Sequence, residues 1–307
     1  MTANTIASLE VTPQLETTEI RLKKLLVAID FSEQTTRTLE AAISIARSFG
    51  SELLLVNAAT PAVYGTGAEP VPIETFEVNL DIAKARMREL VAGCNELKVI
   101  RHREFVAYCG PVDLIARIVK DEKVDLVIAG SHGASGMERL AIGSIAQSIL
   151  QQIPCPTLVV GPHCTAVQHP FRSILLATDL ERTGLRAAQY ASGLAERFSG
   201  KLTLLHVVEP KAMHQERRPE FSEDDTLRAL RRLLPQDLGI YTSGEVCIEH
   251  GKAGEMITHV AHSICPGLIV MGVREGAMFS DHALGSTLAH VIREAYCPVL
   301  VVRRTLQ

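Results

Sequence analysis

The sequence predicts an α/β protein built from two tandem, doubly wound parallel-sheet domains. Five blocks of sequence recur in one order at an offset of about 142 to 150 residues, which indicates an internal duplication. Within each copy, unbroken apolar runs alternate with stretches of helical periodicity, as in parallel sheets covered by helices on both faces. The length of 307 residues suits two domains, each large enough for its own core.

The repeated blocks place the domain boundaries. The first block lies at Lys24–Asp30 and Ser173–Asp179, and the second matches Gly50–Asn57 with Gly200–Val207. The other blocks are Leu126–Gly130 with Leu268–Gly272, Gly143-Ser144 with Gly285-Ser286, and Cys155–Val160 with Cys297–Val302. We therefore expect a flexible tail over residues 1–21, a first half over 22–161, a linker over 162–170 and a second half over 171–304.

The first half contains alternating strand and helix patterns, and the apolar residues of Leu39–Ala46 fall on one face of a helix. We expect strands at Leu25–Asp30, Glu52–Asn57, Val99–Val106 and Val124–Ala129, and helices at Thr36–Phe49, Asn79–Asn95, Val112–Lys120 and from Ile145 onwards. The apolar end strands, Thr157–Val160 and Val299–Val302, are expected to pair with each other. The two halves would then pack as an intramolecular pseudo-dimer.

The segment from Gly130 to Ser144 is suited to phosphate. A buried strand leads into Gly130-Ser131-His132-Gly133, and a helix opens at Gly143-Ser144. A helix N-terminus offers unpaired N–H groups and about half a unit of positive charge, and glycine lets backbone approach an anion. The segment is neither a Walker P-loop nor a G-x-G-x-x-G fingerprint. Asp30 and Asn57 follow strands that end at the same edge of the sheet.

At these residues the chain resembles the universal stress protein family in its tandem, two-domain form. The resemblance covers residues 22–161 and 171–303, and its motif G-x2-G-x9-G-[ST] is matched by Gly130, Gly133, Gly143 and Ser144. It implies a Rossmann-like fold of the adenine nucleotide α-hydrolase-like type. It also implies a stress-response regulator that binds ATP, with or without Mg2+, as a nucleotide-dependent sensor or switch.

The resemblance to ATP-binding members of that family implies a role for each matched residue. Ala28 and Asp30 would lie by the adenine and ribose, and the backbone of Asn57 would touch the adenine. Ala129 and Gly130 would meet the ribose side. The residues expected to line the phosphates are Gly133, Gly143, Ser144 and Ile145. A carboxylate suits ribose hydroxyls and glycine N–H groups suit phosphate, so the chemistry of the residues agrees.

The second half departs from this motif at two positions. Glu275 stands where the first half has Gly133, and Asp281 stands where it has Arg139. A carboxylate 4 Å from a phosphate charge is repelled by about 1 kcal/mol in water and about 4 kcal/mol at a lower effective dielectric. We therefore expect one nucleotide site in the chain, unless Arg274 or a metal ion compensates.

Two rival sites are weaker. Ala129–Gly133 has the form of a nucleophile elbow, but the matching segment Gly272–Gly276 has no serine. His259 and His262, with Cys265 beside them, could hold a metal, but zinc needs further ligands and the first half has no matching set. An ordinary helix face is favoured for the histidines.

Composition limits the partners and the compartment. The 31 basic and 35 acidic residues give a net charge of −4, so no general attraction to nucleic acid is expected. The seven cysteines include no C-x-x-C pair, which favours a reducing compartment, although redox sensing by Cys164 stays open. No run approaches the roughly 20 apolar residues of a membrane span, and residues 1–20 do not resemble a signal peptide. We expect a cytoplasmic protein without membrane insertion.

Three functions remain open at this point. The favoured one is the ATP-binding regulator, with an unidentified protein client and an open question of further homodimer formation. The alternatives are an interaction module that no longer binds nucleotide and a slow ATPase. The lack of a P-loop lysine and of a positioned base argues against fast hydrolysis.

Overall fold

A computed structural model describes residues 19–59, 73–132, 142–165, 169–180, 182–210, 222–233, 244–273 and 285–303. The first half contains β1 (Lys24–Ala28), α1 (Gln34–Phe49), β2 (Glu52–Ala58), α2 (Ile73–Gly93), β3 (His102–Ala107), α3 (Pro111–Glu122), β4 (Leu126–Gly130), α4 (Ser144–Gln152) and β5 (Thr157–Val160). The second half contains β6 (Ser173–Ala177), α5 (Arg182–Arg197), β7 (Lys201–Val208), α6 (Glu223–Arg232), β8 (Gly244–His250), α7 (Ala253–Ile264), β9 (Leu268–Val273), α8 (Ser286–Glu294) and β10 (Val299–Arg303).

The strands form one ten-stranded sheet in the order β3-β2-β1-β4-β5-β10-β9-β6-β7-β8. Neighbouring strands are parallel within each half, whereas β5 and β10 pair antiparallel, with Leu158 opposite Leu300 and Val159 opposite Val299. This pairing confirms that the two end strands join the halves as an intramolecular pseudo-dimer. The predicted fold class, two doubly wound α/β halves, is also confirmed.

The expected elements of the first half are all present, with shifted ends. The second helix begins at Ile73 rather than near Asn79. The third strand begins at His102 rather than at Val99, because a 3₁₀ turn occupies Asn95–Lys98 and leaves the Val99 side chain 80% exposed. Valine at that position carries strand propensity but has no neighbouring strand to pack against.

Buried side chains cover both faces of the sheet. On the face of α1 and α5, one cluster runs without a break from Leu25 through Leu158 and Leu300 to Leu176. On the opposite face the core is divided between a cluster under α3 and α4 and another under α7 and α8. The cluster under α7 and α8 also includes Leu150 and Val159 of the first half, so the halves pack together on both faces of the sheet. Within the described ranges, every helix is too short or too polar to cross a bilayer.

The strand order creates one crevice in each half. From β1 the chain crosses to β2 on one side, and from β4 it crosses to β5 on the other side, so the direction of winding reverses between β1 and β4. The same reversal lies between β6 and β9. In open α/β sheets, ligands bind outside the carboxyl ends of the strands at such a point.

Candidate functional site

Asp30 lies at the carboxyl end of β1, beside the crevice, with one carboxylate oxygen already engaged. Its Oδ1 accepts hydrogen bonds from the Ser32 backbone N–H at 3.0 Å, the Ser32 hydroxyl at 2.7 Å and the Thr35 hydroxyl at 2.8 Å. Among the described residues no donor reaches Oδ2. The chain turns away at Phe31, whose φ of 58° is unusual for a residue with a large side chain. Asp30 is therefore a fixed, half-buried carboxylate with one oxygen available to a ligand.

Asn57 joins the ends of the two neighbouring strands β1 and β2. Its side chain is only 6% exposed, and its Nδ2 donates to the Ile29 carbonyl at 2.8 Å. Its Oδ1 has no hydrogen-bond partner among the described residues. Because Nδ2 already bonds to the Ile29 carbonyl, Asn57 could contact a ligand in the crevice only through its backbone or through Oδ1.

The segment after β4 is held from two sides. The Ser131 N–H donates to the Val160 carbonyl at 2.9 Å, and the Ser131 carbonyl accepts from the Gly143 N–H at 2.7 Å. The two ends of the glycine-bearing segment therefore meet at the sheet edge. A Cβ added to Gly130 would lie 3.1 Å from Gln34 Oε1 and 3.3 Å from Thr38 Oγ1. Gly130 thus makes room for the side chains of α1.

The N-terminus of α4 opens onto the same edge. Gly143 is its N-cap and supplies no side-chain cap, so the first N–H groups of the helix have no capping partner within the described residues. Ser144 and Ile145 are exposed, and the Ile145 side chain is 41% exposed. Free N–H groups and the helix dipole at an accessible N-terminus favour an anion.

Of the nine residues expected at the nucleotide, eight lie at or next to the carboxyl edge of the first half. Gly133 lies outside the described residues, so its placement stays a prediction. Ala129 is 3% exposed and packs in the core under α3 and α4. Its side chain therefore serves packing, and only its backbone borders the crevice.

The second half carries different side chains at the same backbone positions. His206 Nδ1 lies 2.9 Å from the Thr178 carbonyl, the position that Asn57 Nδ2 has relative to Ile29. The strand registers agree, because Ala28 pairs with Val56 as Ala177 pairs with Leu205. Asn57 therefore corresponds to His206, and the expected match of Asn57 with Val207 was wrong by one residue. The glycines Gly50 and Gly200, on which that match was based, are themselves one residue out of register.

Asp179 has lost the surroundings that fix Asp30. Asp179 is exposed, and the residues in the places of Ser32 and Thr35 are Glu181 and Gly184. Thr178 Oγ1 would lie 2.4 Å from a Cβ at position 184 and accepts a hydrogen bond from the Leu180 N–H at 3.1 Å. The threonine hydroxyl thus takes the space that a side chain at 184 would need.

Glu209, at the end of β7, caps α7 in the second half. Its Oε1 accepts a hydrogen bond from the Ala253 N–H at 2.8 Å, at the first residue of the helix. In the first half the corresponding helix α3 starts at Pro111 after Gly110, without a side-chain cap in the described residues. The chain's own carboxylate therefore occupies the N-terminus of α7. A glutamate directly after a strand gives no recognisable sequence signal, and we missed it.

The rival sites find no support in the part of the chain that the structure describes. No group of three metal-binding side chains occurs there, and His262 packs its ring against Tyr296, with centroids 4.9 Å apart. Ser131 is fully buried, which does not suit an exposed nucleophile.

Burial raises the pKa of the Cys155, Cys164 and Cys297 thiols to about 12. These thiols stay protonated at neutral pH and are poor nucleophiles. Glu275 and Asp281 lie outside the described residues.

Comparison with known proteins agrees with the fold. The model of the family described as "Universal stress protein family" matches residues 21–161 and 170–303. Universal stress protein YxiE of Bacillus subtilis is 30% identical over 145 residues, which are 45% of this chain and 97% of that protein. Universal stress protein MJ0531 of Methanocaldococcus jannaschii is 27% identical over 146 residues, 45% of this chain and 81% of that protein. A crystal structure of a universal stress protein from Archaeoglobus fulgidus has a TM-score of 0.71 at 20% identity and covers 93% of this chain and 100% of that one.

Proposed function

Because the chain belongs to the universal stress protein family, we propose that its first half binds ATP, that its second half does not, and that the bound nucleotide regulates a stress response. The observation that carries this proposal is the crevice between β1 and β4. Asp30 and the Gly130 segment flank the point where the winding direction of the sheet reverses. The open N-terminus of α4 lies at the same edge.

The residues of this edge complement the three parts of a nucleotide. Asp30 Oδ2 can accept hydrogen bonds from ribose hydroxyls, since Oδ1 is engaged by Ser32 and Thr35. The N–H groups at Gly143, Ser144 and Ile145 suit phosphate oxygens. The backbone near Ala28 and Asn57 is left for the base. Gly133 would complete the phosphate contacts.

The second edge keeps a glycine N-cap, Gly285, at the start of α8, but other residues differ. Glu209 accepts an N–H from the start of α7, and Glu181 and Gly184 replace the two residues whose hydroxyls donate to Asp30. In the sequence Glu275 replaces Gly133 of the phosphate motif, and its carboxylate would repel a polyphosphate. We therefore propose that the second half supports the first through the shared sheet and does not take a nucleotide of its own.

Calorimetric titration of ATP, with and without Mg2+, tests the proposal on the wild type and on a Gly133→Glu variant. The added charge should weaken ATP binding by about fivefold or more. Gly93→Glu is the matched control, because Gly93 is exposed at the end of α2 with open space around it. It should bind ATP as the wild type does. No heat of binding in the wild type, together with no protection against thermal unfolding, would refute the nucleotide function.

A further inference from the structure

The first turn of α1 reaches over the sheet edge to the segment that follows β4. Gln34 Oε1 accepts a hydrogen bond from the His132 backbone N–H at 3.2 Å. The same oxygen lies 3.1 Å from the place of a Cβ on Gly130. A side chain at 130 would therefore press on the Gln34 amide, and the glycine lets it lie against the backbone.

This bond differs from the others that hold the segment. Ser131 is anchored to the sheet and to the start of α4 through its backbone, by way of Val160 and Gly143. His132 is the last described residue before Gly133, and its N–H is bonded to a side chain of another element. Gln34 therefore sets the direction in which the chain leaves the sheet towards Gly133.

The second half has no glutamine at the position that matches Gln34. Thr35 corresponds to Gly184, so Gln34 corresponds to Thr183, whose hydroxyl lies two bonds closer to the backbone than the glutamine oxygen. The glutamine thus occurs in the half with the intact glycine motif and not in the half with Glu275.

We propose that Gln34 is a positioning residue that orients the Gly130–His132 backbone for the phosphate chain of the nucleotide, an inference that rests on the proposed function. Holding a binding segment in its bound direction lowers the ordering cost of binding. The bond from Gln34 is made at His132, beyond the ribose side expected at Gly130, so the benefit reaches ligands whose phosphates extend past the ribose. Gln34 therefore favours ATP and ADP over adenosine, without touching the ligand itself.

The test compares ATP, ADP and adenosine affinities of the wild type with those of Gln34→Met, which keeps the chain length and removes the acceptor. Losing one such bond should weaken ATP and ADP binding by about fivefold and leave adenosine binding unchanged. Thr36→Ala, an exposed position on the same turn, should behave as the wild type. Amide exchange at His132, followed by NMR without ligand, should be about fivefold faster in Gln34→Met and unchanged in Thr36→Ala.

The outcomes separate this inference from the proposed function. If the wild type does not bind ATP, the proposed function fails. If it does bind and Gln34→Met keeps its ATP affinity within twofold, or loses ATP and adenosine affinity equally, the positioning role is overturned. Unchanged exchange at His132 would overturn it as well, independently of any ligand.

Discussion

The two sheet edges of this protein share a backbone and several residues, such as Gly143-Ser144 and Gly285-Ser286, but they differ in the side chains around their aspartates. Each turns through a left-handed residue after its aspartate, Phe31 at 58° and Leu180 at 61°. Each ties its first two strands by one side chain, Asn57 in the first half and His206 in the second. Beyond that tie the halves diverge, because the two hydroxyl residues that donate to Asp30 are replaced by Glu181 and Gly184 beside Asp179. We infer that the fold requires the side-chain hydrogen bond between the ends of the first two strands, whereas the ligand site requires the donors that hold Asp30.

At the amino-terminal ends of the strands, each half has a cross-strand ion pair at matching positions. Arg103 Nε lies 3.0 Å from Glu52 Oε1 between β3 and β2, and Lys201 Nζ lies 2.8 Å from Glu245 Oε1 between β7 and β8. These are the same two positions in each half, with the charges exchanged. A cross-strand ion pair of either polarity therefore serves the sheet. A ligand site does not allow this exchange of charge, because the ligand needs a particular donor or acceptor at each position.

The largest effect on stability is expected at Asn57, which joins the ends of β1 and β2. Asn57→Asp replaces a buried donor by a carboxylate facing the Ile29 carbonyl and should cost about 3 kcal/mol of unfolding free energy. Asn57→His, which introduces the residue of the second half, can still donate and should cost no more than about 1 kcal/mol. Urea denaturation measures both. Equal losses in the two variants would show that donation to Ile29 is unimportant.

The next effect concerns the aspartates. Asp30→Asn keeps an oxygen for the Ser32 and Thr35 donors but turns Oδ2 into an N–H donor, so ATP affinity should fall about tenfold. Asp179→Asn should leave ATP affinity within about twofold. Calorimetric titration of both variants gives the comparison. A loss in Asp179→Asn as large as that in Asp30→Asn would remove the proposed difference between the halves.

A third effect tests why the second half has a glycine, Gly184, where the first half has Thr35. Gly184→Ala places a Cβ 2.4 Å from Thr178 Oγ1 and should destabilise the protein by about 1 kcal/mol, although alanine favours a helix. In a Thr178→Ala background the clash is gone, and the same change should stabilise by about 0.5 kcal/mol. Urea denaturation of the four proteins completes the cycle. The same sign in both backgrounds would contradict this account of the packing.

The smallest effect lies at the amino-terminal edges. Hydrogen bonds from Arg103 and Lys24 lower the pKa of Glu122 to about 2, from an ordinary value of 4.5. The stability from this group is therefore present above pH 4.5 and is lost as the pH falls through about 2. Glu122→Gln should lower the thermal midpoint at pH 7 and have no effect near pH 2. The exposed Lys201–Glu245 pair should contribute at most about 0.5 kcal/mol, so Glu245→Gln serves as the comparison.

Much of the fold follows from the sequence, because buried parallel strands and amphipathic helices have strong local patterns. The unbroken run before Gly130 and the helical face of Leu39–Ala46 placed β4 and α1 within two residues of their ends. The pairing of β5 with β10 followed from two apolar end strands, each of which has only one neighbour within its own half. The end of α2 and the start of β3 were less predictable, because the 3₁₀ turn between them ends the helix at Gly93 and delays the strand to His102.

The site was harder to predict because it depends on side chains that meet across elements. The sequence pointed to Asp30 but not to Thr35 and Ser32, which hold it, nor to Gln34, 98 residues from His132. Glu209 and His206 make contacts at the second edge that the first half does not have, but neither residue lies in the glycine motif, so the sequence did not point to them. Gly133, Glu275 and Asp281, on which the sequence argument for one site was based, remain predictions. The described residues of the two edges supply an independent argument for the same asymmetry.

Counting ATP molecules per chain by native mass spectrometry tests the central claim most directly. The account predicts one ATP per wild-type chain, a lost or strongly reduced complex in Asp30→Asn, and one ATP in Asp179→Asn. Two ATP molecules per chain, or a single one that disappears in Asp179→Asn and survives in Asp30→Asn, would contradict it.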